Sequence, residues 1–283
     1  MPEFNEEWRY EGGTSENEAA HGGSLDSDGS FILAGVQGVD VTPRTDDTFT
    51  ETISADFAAV KLEGASGVVV WDWTDQSTGS SGEQLESIFG ADTDSNNDVV
   101  LGGYVTGNWD ATNENGQADS LVVKLSGTDG SVIWEYSPFS FTIDVLHAVD
   151  VDDQGDVYVA GGEDAENKMG DITESPVVMK LSGANGTLEW MYSGATTSRT
   201  IFRSVAVDPT TGWIVGAGHT EGTWLAGEAQ GGNDFAAVVL DGDRGEELAR
   251  YQNGTDGSDV IKFAGFDSAG ALFFGGYTSG LSE

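Results

Sequence analysis

The chain has no cysteine, which excludes disulfides, thiolate metal sites and thiol catalysis and leaves the compartment open. Cationic side chains are scarce as well: 11 Lys and Arg and three His stand against 49 Asp and Glu, a formal net charge of -38 over 283 residues. A surface that negative repels phosphate backbones and anionic headgroups, so nucleic acid is not an expected partner. No apolar run is long enough to cross a bilayer, and the opening residues lack the basic-then-apolar order of a secretory signal, so no membrane insertion is expected and an export signal would have to lie outside this segment. Helical periodicity is nearly absent. So are a Ser-His-Asp order, a phosphate-binding glycine loop and a His-rich metal motif.

What is present argues for a folded chain. Hydrophobic residues make up 38% and aromatics 10%, too much for a disordered segment, and the acidic residues are spread along the chain rather than gathered in a tail. Such a surface is strongly hydrated and suits saline or calcium-rich surroundings. Five phrases repeat: FILAG, VVLGGY, VYVAGG, WIVGAG and LFFGGY, with small residues at Gly35, Gly103, Gly162, Gly218 and Gly276, hence spacings of 68, 59, 56 and 58 residues. A fixed period of that order marks a repeat architecture.

Each unit carries four short runs rich in β-branched and aromatic residues, as in LHAVDVD, DVYVAGG, SPVVMKLSG and TLEWMYSG of the third. The first two runs are joined by Asp- and Gly-bearing turns at 26–30, 92–98, 152–156, 208–212 and 267–270, where Asp accepts nearby N–H groups and Gly supplies positive φ. The last two are joined by EGASG, SGTDG, SGANG and DGDRG. Looser polar stretches, Val36–Ala55, Tyr104–Ala118, Glu163–Glu174 and His219–Asn233, separate the second and third runs, and loops of that kind on a constant scaffold carry specificity. Four antiparallel strands with a period near sixty predict the blades of an all-β propeller. It would form a single domain over 1–283, with repeats near 11–75, 76–137, 138–194, 195–254 and 255–283 plus 1–10. Trp71, Trp73, Trp134, Tyr136, Trp190, Tyr192 and Tyr251 on the fourth strands are expected to pack between blades. Lys61, Lys124 and Lys180 recur in the third strand with Val239 in their place in the fourth unit, and their amines are expected to reach acidic neighbours.

The chain opens on Glu7-Trp8-Arg9-Tyr10, which matches Glu189-Trp190-Met191-Tyr192. This predicts a fourth strand donated to a fifth blade whose first two strands are Val260–Asp267 and Ala271–Thr278. That blade lacks a third strand, so either it closes with three strands or this is a segment of a larger propeller, the second being the favoured expectation.

The pattern Asp-x-x-Gly-x-Val-Tyr-Val-x-Gly-Gly, followed by Val-Val-x-Lys-Leu-x-Gly-x-x-Gly-x-x-x-Trp, resembles a bacterial-type β-propeller repeat family often described as seven-bladed. The likeness covers most of the chain and is best in units two and three. It implies the fold and a surface, envelope or extracellular setting, with no activity attached. The half-motifs LSGTDGSVIW and LSGANGTLEW also resemble the tryptophan-docking repeat of pyrroloquinoline-quinone-type propellers, although the period here is longer and the paired cysteines beside the quinone are absent.

Two sets of residues could carry chemistry. Counting five residues back from the turn aspartates places His21, Ser87, His147, Arg203 and Lys262 in register. The innermost strands of a propeller surround its axis, so four cationic or imidazole groups in a cation-poor chain would form a ring able to hold an anion. Asp92, Asp94, Asn96 and Asp98, and Asp150, Asp152 and Asp156, place oxygen donors at alternate positions, the spacing by which a hard cation such as calcium is held. No other cofactor is implied. Asn185 and Asn253 head Asn-Gly-Thr sequons that are equally turn sequences. The reading is a non-catalytic acidic scaffold for a protein or glycan, at the cell surface or outside the cell. Its rival is an enzyme with a site in the axial channel, a quinoprotein-like oxidoreductase or a glycan lyase or hydrolase.

Overall fold

The computed structural model describes residues 17–39, 56–75, 86–106, 118–137, 144–166, 172–194, 196, 198–226 and 228–280. All its regular structure is β. The first sheet comprises Asn17–Leu25 (β1), Phe31–Val39 (β2), Asp56–Leu62 (β3) and Val69–Thr74 (β4). The second comprises Glu86–Thr93 (β5), Val99–Thr106 (β6), Ala118–Leu125 (β7) and Val132–Tyr136 (β8). The third holds Asp144–Val151 (β9), Val157–Glu166 (β10), Ile172–Leu181 (β11) and Leu188–Ser193 (β12), and the fourth Thr200–Val207 (β13), Ile214–Thr220 (β14), Asp234–Leu240 (β15) and Glu247–Asn253 (β16). In each, the strands pair antiparallel in sequence order. A fifth sheet pairs Asp259–Phe266 (β17) with Leu272–Thr278 (β18). The expected closing strand at Glu7–Tyr10 lies outside the described residues.

The core lies between sheets. Ile32, Phe57 and Trp71 of the first pack on Ile88, Leu101 and Leu121 of the second; comparable clusters join the second sheet to the third, the third to the fourth and the fourth to the fifth. The first strands β1, β5, β9, β13 and β17 follow one another in contact and together line a single cavity. Four-stranded meanders packed face to face, with their first strands around a common space, form a β-propeller.

One device is repeated at each seam. The indole N–H groups of Trp71, Trp134 and Trp190 donate to the carbonyls of Gly127, Gly183 and Gly242 in the next blade, at 3.2, 3.0 and 2.9 Å. Beneath each indole lies a turn glycine, Gly130, Gly186 or Gly245, at φ of 73, 70 and 68°. A Cβ on Gly186 would stand 2.6 Å from the Trp134 ring, so the turn is glycine for its dihedral and for the ring above it. The third-strand lysines complete the seam. Lys61 and Lys124 bind Asp26 and Asp94 of their own blade at 2.8 and 2.7 Å and donate to the same next-blade carbonyls, Gly127 and Gly183. Lys180 binds Asp156 and Glu189. Burial opposes ionisation of Asp26 and Asp94, but the lysine and the turn N–H groups outweigh it and hold both below the usual carboxylate range.

Candidate functional site: the axial cavity

Each first strand contains a β-bulge, and the extra residue is His21, Phe89, His147, Arg203 or Lys262. A bulge re-aims a side chain that regular pleating would send elsewhere. Opposite it in the second strand stands Gly35, Gly103, Gly161, Gly218 or Gly276, where a Cβ would meet a first-strand carbonyl oxygen at 1.8 to 2.0 Å. The repeated glycine therefore makes room for the bulge of its own blade. In the third unit that residue is Gly161, one place before the Gly162 used to measure the period.

The second unit also shifts. Its turn is headed by Asp94, whose Oδ1 accepts the Asn96 and Asp98 N–H groups at 2.8 and 2.9 Å, while Asp92 is still within β5. Counting back from Asp94 makes the ring residue Phe89, and Ser87 lies two residues further back, outside the cavity lining.

The cavity encloses about 690 Å³ and takes lining residues from all five first strands. Around it run His21, edge-on to Phe89 with centroids 5.7 Å apart, then Phe89 against His147 at 5.2 Å, then His147, whose ring nitrogens lie 3.3 and 3.4 Å from Arg203 Nη1. Lys262 is exposed, turned toward the Tyr277 ring at 5.9 Å, and Phe263 lines the cavity in its place. Burial, then the Arg203 and His219 charges, push His147 down to about 3; burial and the two arginines likewise bring His219 to about 4. Both imidazoles are therefore neutral near pH 7. Arg199 is held by Glu174 and by Glu221, the latter at 3.0 Å. Among the described residues Arg203 has no carboxylate within ion-pair distance, and its Nε lacks a hydrogen-bond partner.

About 10 Å along the strands the lining turns acidic. Asp92 accepts the Ser24 hydroxyl and the Val151 N–H, each at 3.0 Å; Asp150 accepts the same Val151 N–H at 3.0 Å and the Val207 N–H at 2.7 Å. Each carboxylate thus ties its strand to the next. Burial, then the Asp92 charge, push Asp150 up to about 7. The other expected metal ligands are used within their blades: Asp94 by its turn and Lys124, Asp98 by the Gly127 N–H, Asp152 by its turn and the Tyr158 hydroxyl, Asp156 by Lys180 and the Gly183 N–H, while Asn96 contributes its backbone N–H to Asp94. Among the described residues no three His, Cys, Asp or Glu side chains gather as a metal would require, and no helix is long and apolar enough to cross a membrane.

No protein-family model and no curated protein matches the chain. Solved structures do. A Dyadobacter fermentans DSM 18053 protein of unknown function is 13% identical, with a TM-score of 0.55 over 89% of this chain and 73% of that one. A quinohemoprotein alcohol dehydrogenase from Pseudomonas putida HK5 is 12% identical, with a TM-score of 0.43 over 87% of this chain and 36% of that one. BamB from Moraxella catarrhalis is 10% identical, with a TM-score of 0.35 over 87% and 80%. At such identities a structural likeness speaks for fold alone.

Proposed function

We propose that the chain works as one acidic β-propeller unit, at the cell surface or outside the cell, that binds a protein or glycan without transforming it and takes an acidic group of that ligand into the axial cavity. Arg203 carries this reading. In a chain with 49 Asp and Glu, a guanidinium beside a cavity that makes no ion pair among the described residues and feels Glu174 only at a distance is completed by a carboxylate brought from outside, which its fork of donors matches. Phe89 offers an apolar wall, and neutral His147 adds no competing negative charge. Glucuronate is the simplest probe. Calorimetric titration at pH 7 is expected to show saturable binding that Arg203→Gln weakens at least tenfold; binding indifferent to that substitution, or none, removes the reading.

One observation favours the rival. Asp92 and Asp150 form a carboxyl pair beside the cavity with Asp150 protonated near neutrality, and paired acids of unequal pKa are the equipment of glycan hydrolysis. Both are already bound to strand N–H groups, which favours the structural role. Turnover of a uronic-acid oligosaccharide that Asp150→Asn abolishes would reverse the order of the two readings.

A further inference from the structure

An asparagine followed by glycine is where a main chain can attack its own side chain, because glycine has no Cβ to block the approach of its nitrogen. The tripeptide Asn-Gly-Thr occurs twice, at 185–187 and 253–255; a further Asn-Gly, Asn115-Gly116, lies outside the described residues. Asn185 and Asn253 are both exposed. With the same local sequence and similar access to water, the two differ only in what the fold does with them. At Asn185 it turns the reacting groups apart: Oδ1 reaches past the glycine to accept the N–H and hydroxyl of Thr187, at 3.1 and 2.8 Å, and the Gly186 N–H is used by the turn, donating to the Ser182 carbonyl at 2.8 Å. At Asn253 it brings them together. The side chain at the end of β16 folds back on its own main chain, so that the Gly254 N–H donates to Asn253 Oδ1 at 2.9 Å, while Nδ2 donates to the Tyr251 hydroxyl at 3.2 Å and fixes the plane of the amide. Cγ, the carbon the nitrogen would attack, is the next atom beyond that oxygen, which makes this a near-attack arrangement.

An amide nitrogen attacks only as its proton leaves, and a proton acceptor stands beside this one. Gly254 is pressed against Asp234 of β15: a Cβ on the glycine would lie 2.1 Å from Asp234 Oδ1. Asp234 is 1% exposed. Its Oδ2 accepts the Gln230 N–H and the Gln252 amide, at 2.9 and 2.6 Å, but its Oδ1 is buried without a hydrogen-bond partner and keeps its lone pairs free. Strand register puts Ser175 of β11 at the place of Asp234, so the sheet does not need a carboxylate there.

We propose that Asn253 is a self-modification site at which Asp234 Oδ1 takes the Gly254 amide proton as the Gly254 nitrogen bonds to Asn253 Cγ. The Cγ–Nδ2 bond then breaks, Nδ2 leaves as ammonia with that proton, and water opens the succinimide left behind to aspartate or isoaspartate. Either product adds a negative charge at the end of β16, and isoaspartate also adds a methylene to the main chain. The change falls next to Gln252, whose amide oxygen holds the Trp224 and Leu225 N–H groups at 2.8 and 2.6 Å, so it acts on the anchor of the loop between β14 and β15.

The test is to incubate the folded protein at mildly alkaline pH and follow both asparagines by mass-spectrometric peptide mapping, with isoaspartate quantified. Asn253 is expected to deamidate roughly tenfold faster than Asn185, and the two rates to converge in urea, where the fold no longer distinguishes them. Asp234→Ser, which copies Ser175, is expected to slow Asn253 by about tenfold and leave Asn185 unchanged. A variant that merely loosened the fold would speed Asn253 instead, so loss of the base and loss of structure read in opposite directions. Asp234→Asn provides the same comparison should the serine variant not fold. Equal rates at the two asparagines in the folded protein, a difference that persists in urea, or an Asn253 rate that the variants leave unchanged or raise would each overturn the proposal.

Discussion

Near the axis, His147 and Asp150 lie three residues apart in β9, and burial moves them in opposite senses. His147 titrates at about 3 in the fold and near 6.5 when unfolded, so the unfolded chain takes up the proton first as pH falls. Its stabilising effect is complete above pH 6.5 and is lost progressively below it. His147→Gln, which keeps an acceptor for Arg203, is expected to flatten the loss of stability between pH 6.5 and 4.5 in denaturant titrations. Asp150 behaves inversely. Burial and the Asp92 charge raise it to about 7 in the fold, against about 3.9 when unfolded, so its stabilising effect is complete below about pH 4 and is lost progressively as pH rises to about 7. Asp150→Asn leaves an amide able to donate to Asp92 and accept from Val207, and should raise the melting point most at pH 7 to 8, less at pH 5 and little at pH 4. An equal effect at all these pH values would mean that no ionisation next to Asp92 is being relieved.

Between blades, the seam joins an indole, a glycine turn and a buried ion pair, and each part fails differently. In Gly186→Ala the new methyl meets the Trp134 ring and the backbone must hold φ near 70°, a combined cost on the order of 2–4 kcal/mol. Lys124→Met strands the buried Asp94 carboxylate, which costs about 3–5 kcal/mol; adding Asp94→Asn should recover a large part of it, as measured by urea unfolding. These elements were legible in sequence because tryptophan, lysine and turn glycine each recur at a constant offset. The first-strand register was less so. The run DTDSNND contains five acidic or amide residues able to head a turn, and alternation alone does not say which one does. Asp94 heads it because Lys124 lies beside it, a contact between residues 30 apart in sequence.

The whole molecule is governed by its charge. With -38 on 283 residues, self-repulsion opposes the compact state, and salt shortens its reach from about 30 Å at 0.01 M to about 3 Å at 1 M. Melting temperature is therefore expected to rise by several degrees over that range of NaCl. A flat response would mean that the carboxylates are too far apart or too well paired to repel one another. Arg203 matters at this scale because it is set in a field dominated by acid yet makes no ion pair among the described residues.

From composition and period alone follow the all-β meander, the turn positions and the pairing of the third-strand lysines with acidic neighbours, since each rests on local chemistry repeated along the chain. Tertiary structure decided the rest: that a bulge turns His147 and Arg203 toward a shared cavity while Lys262 stays exposed over the Tyr277 ring, and that Phe89 takes the place of Ser87. Those outcomes depend on how one sheet packs against the next, and a buried charge shows itself only once its neighbours, distant in sequence, have closed around it.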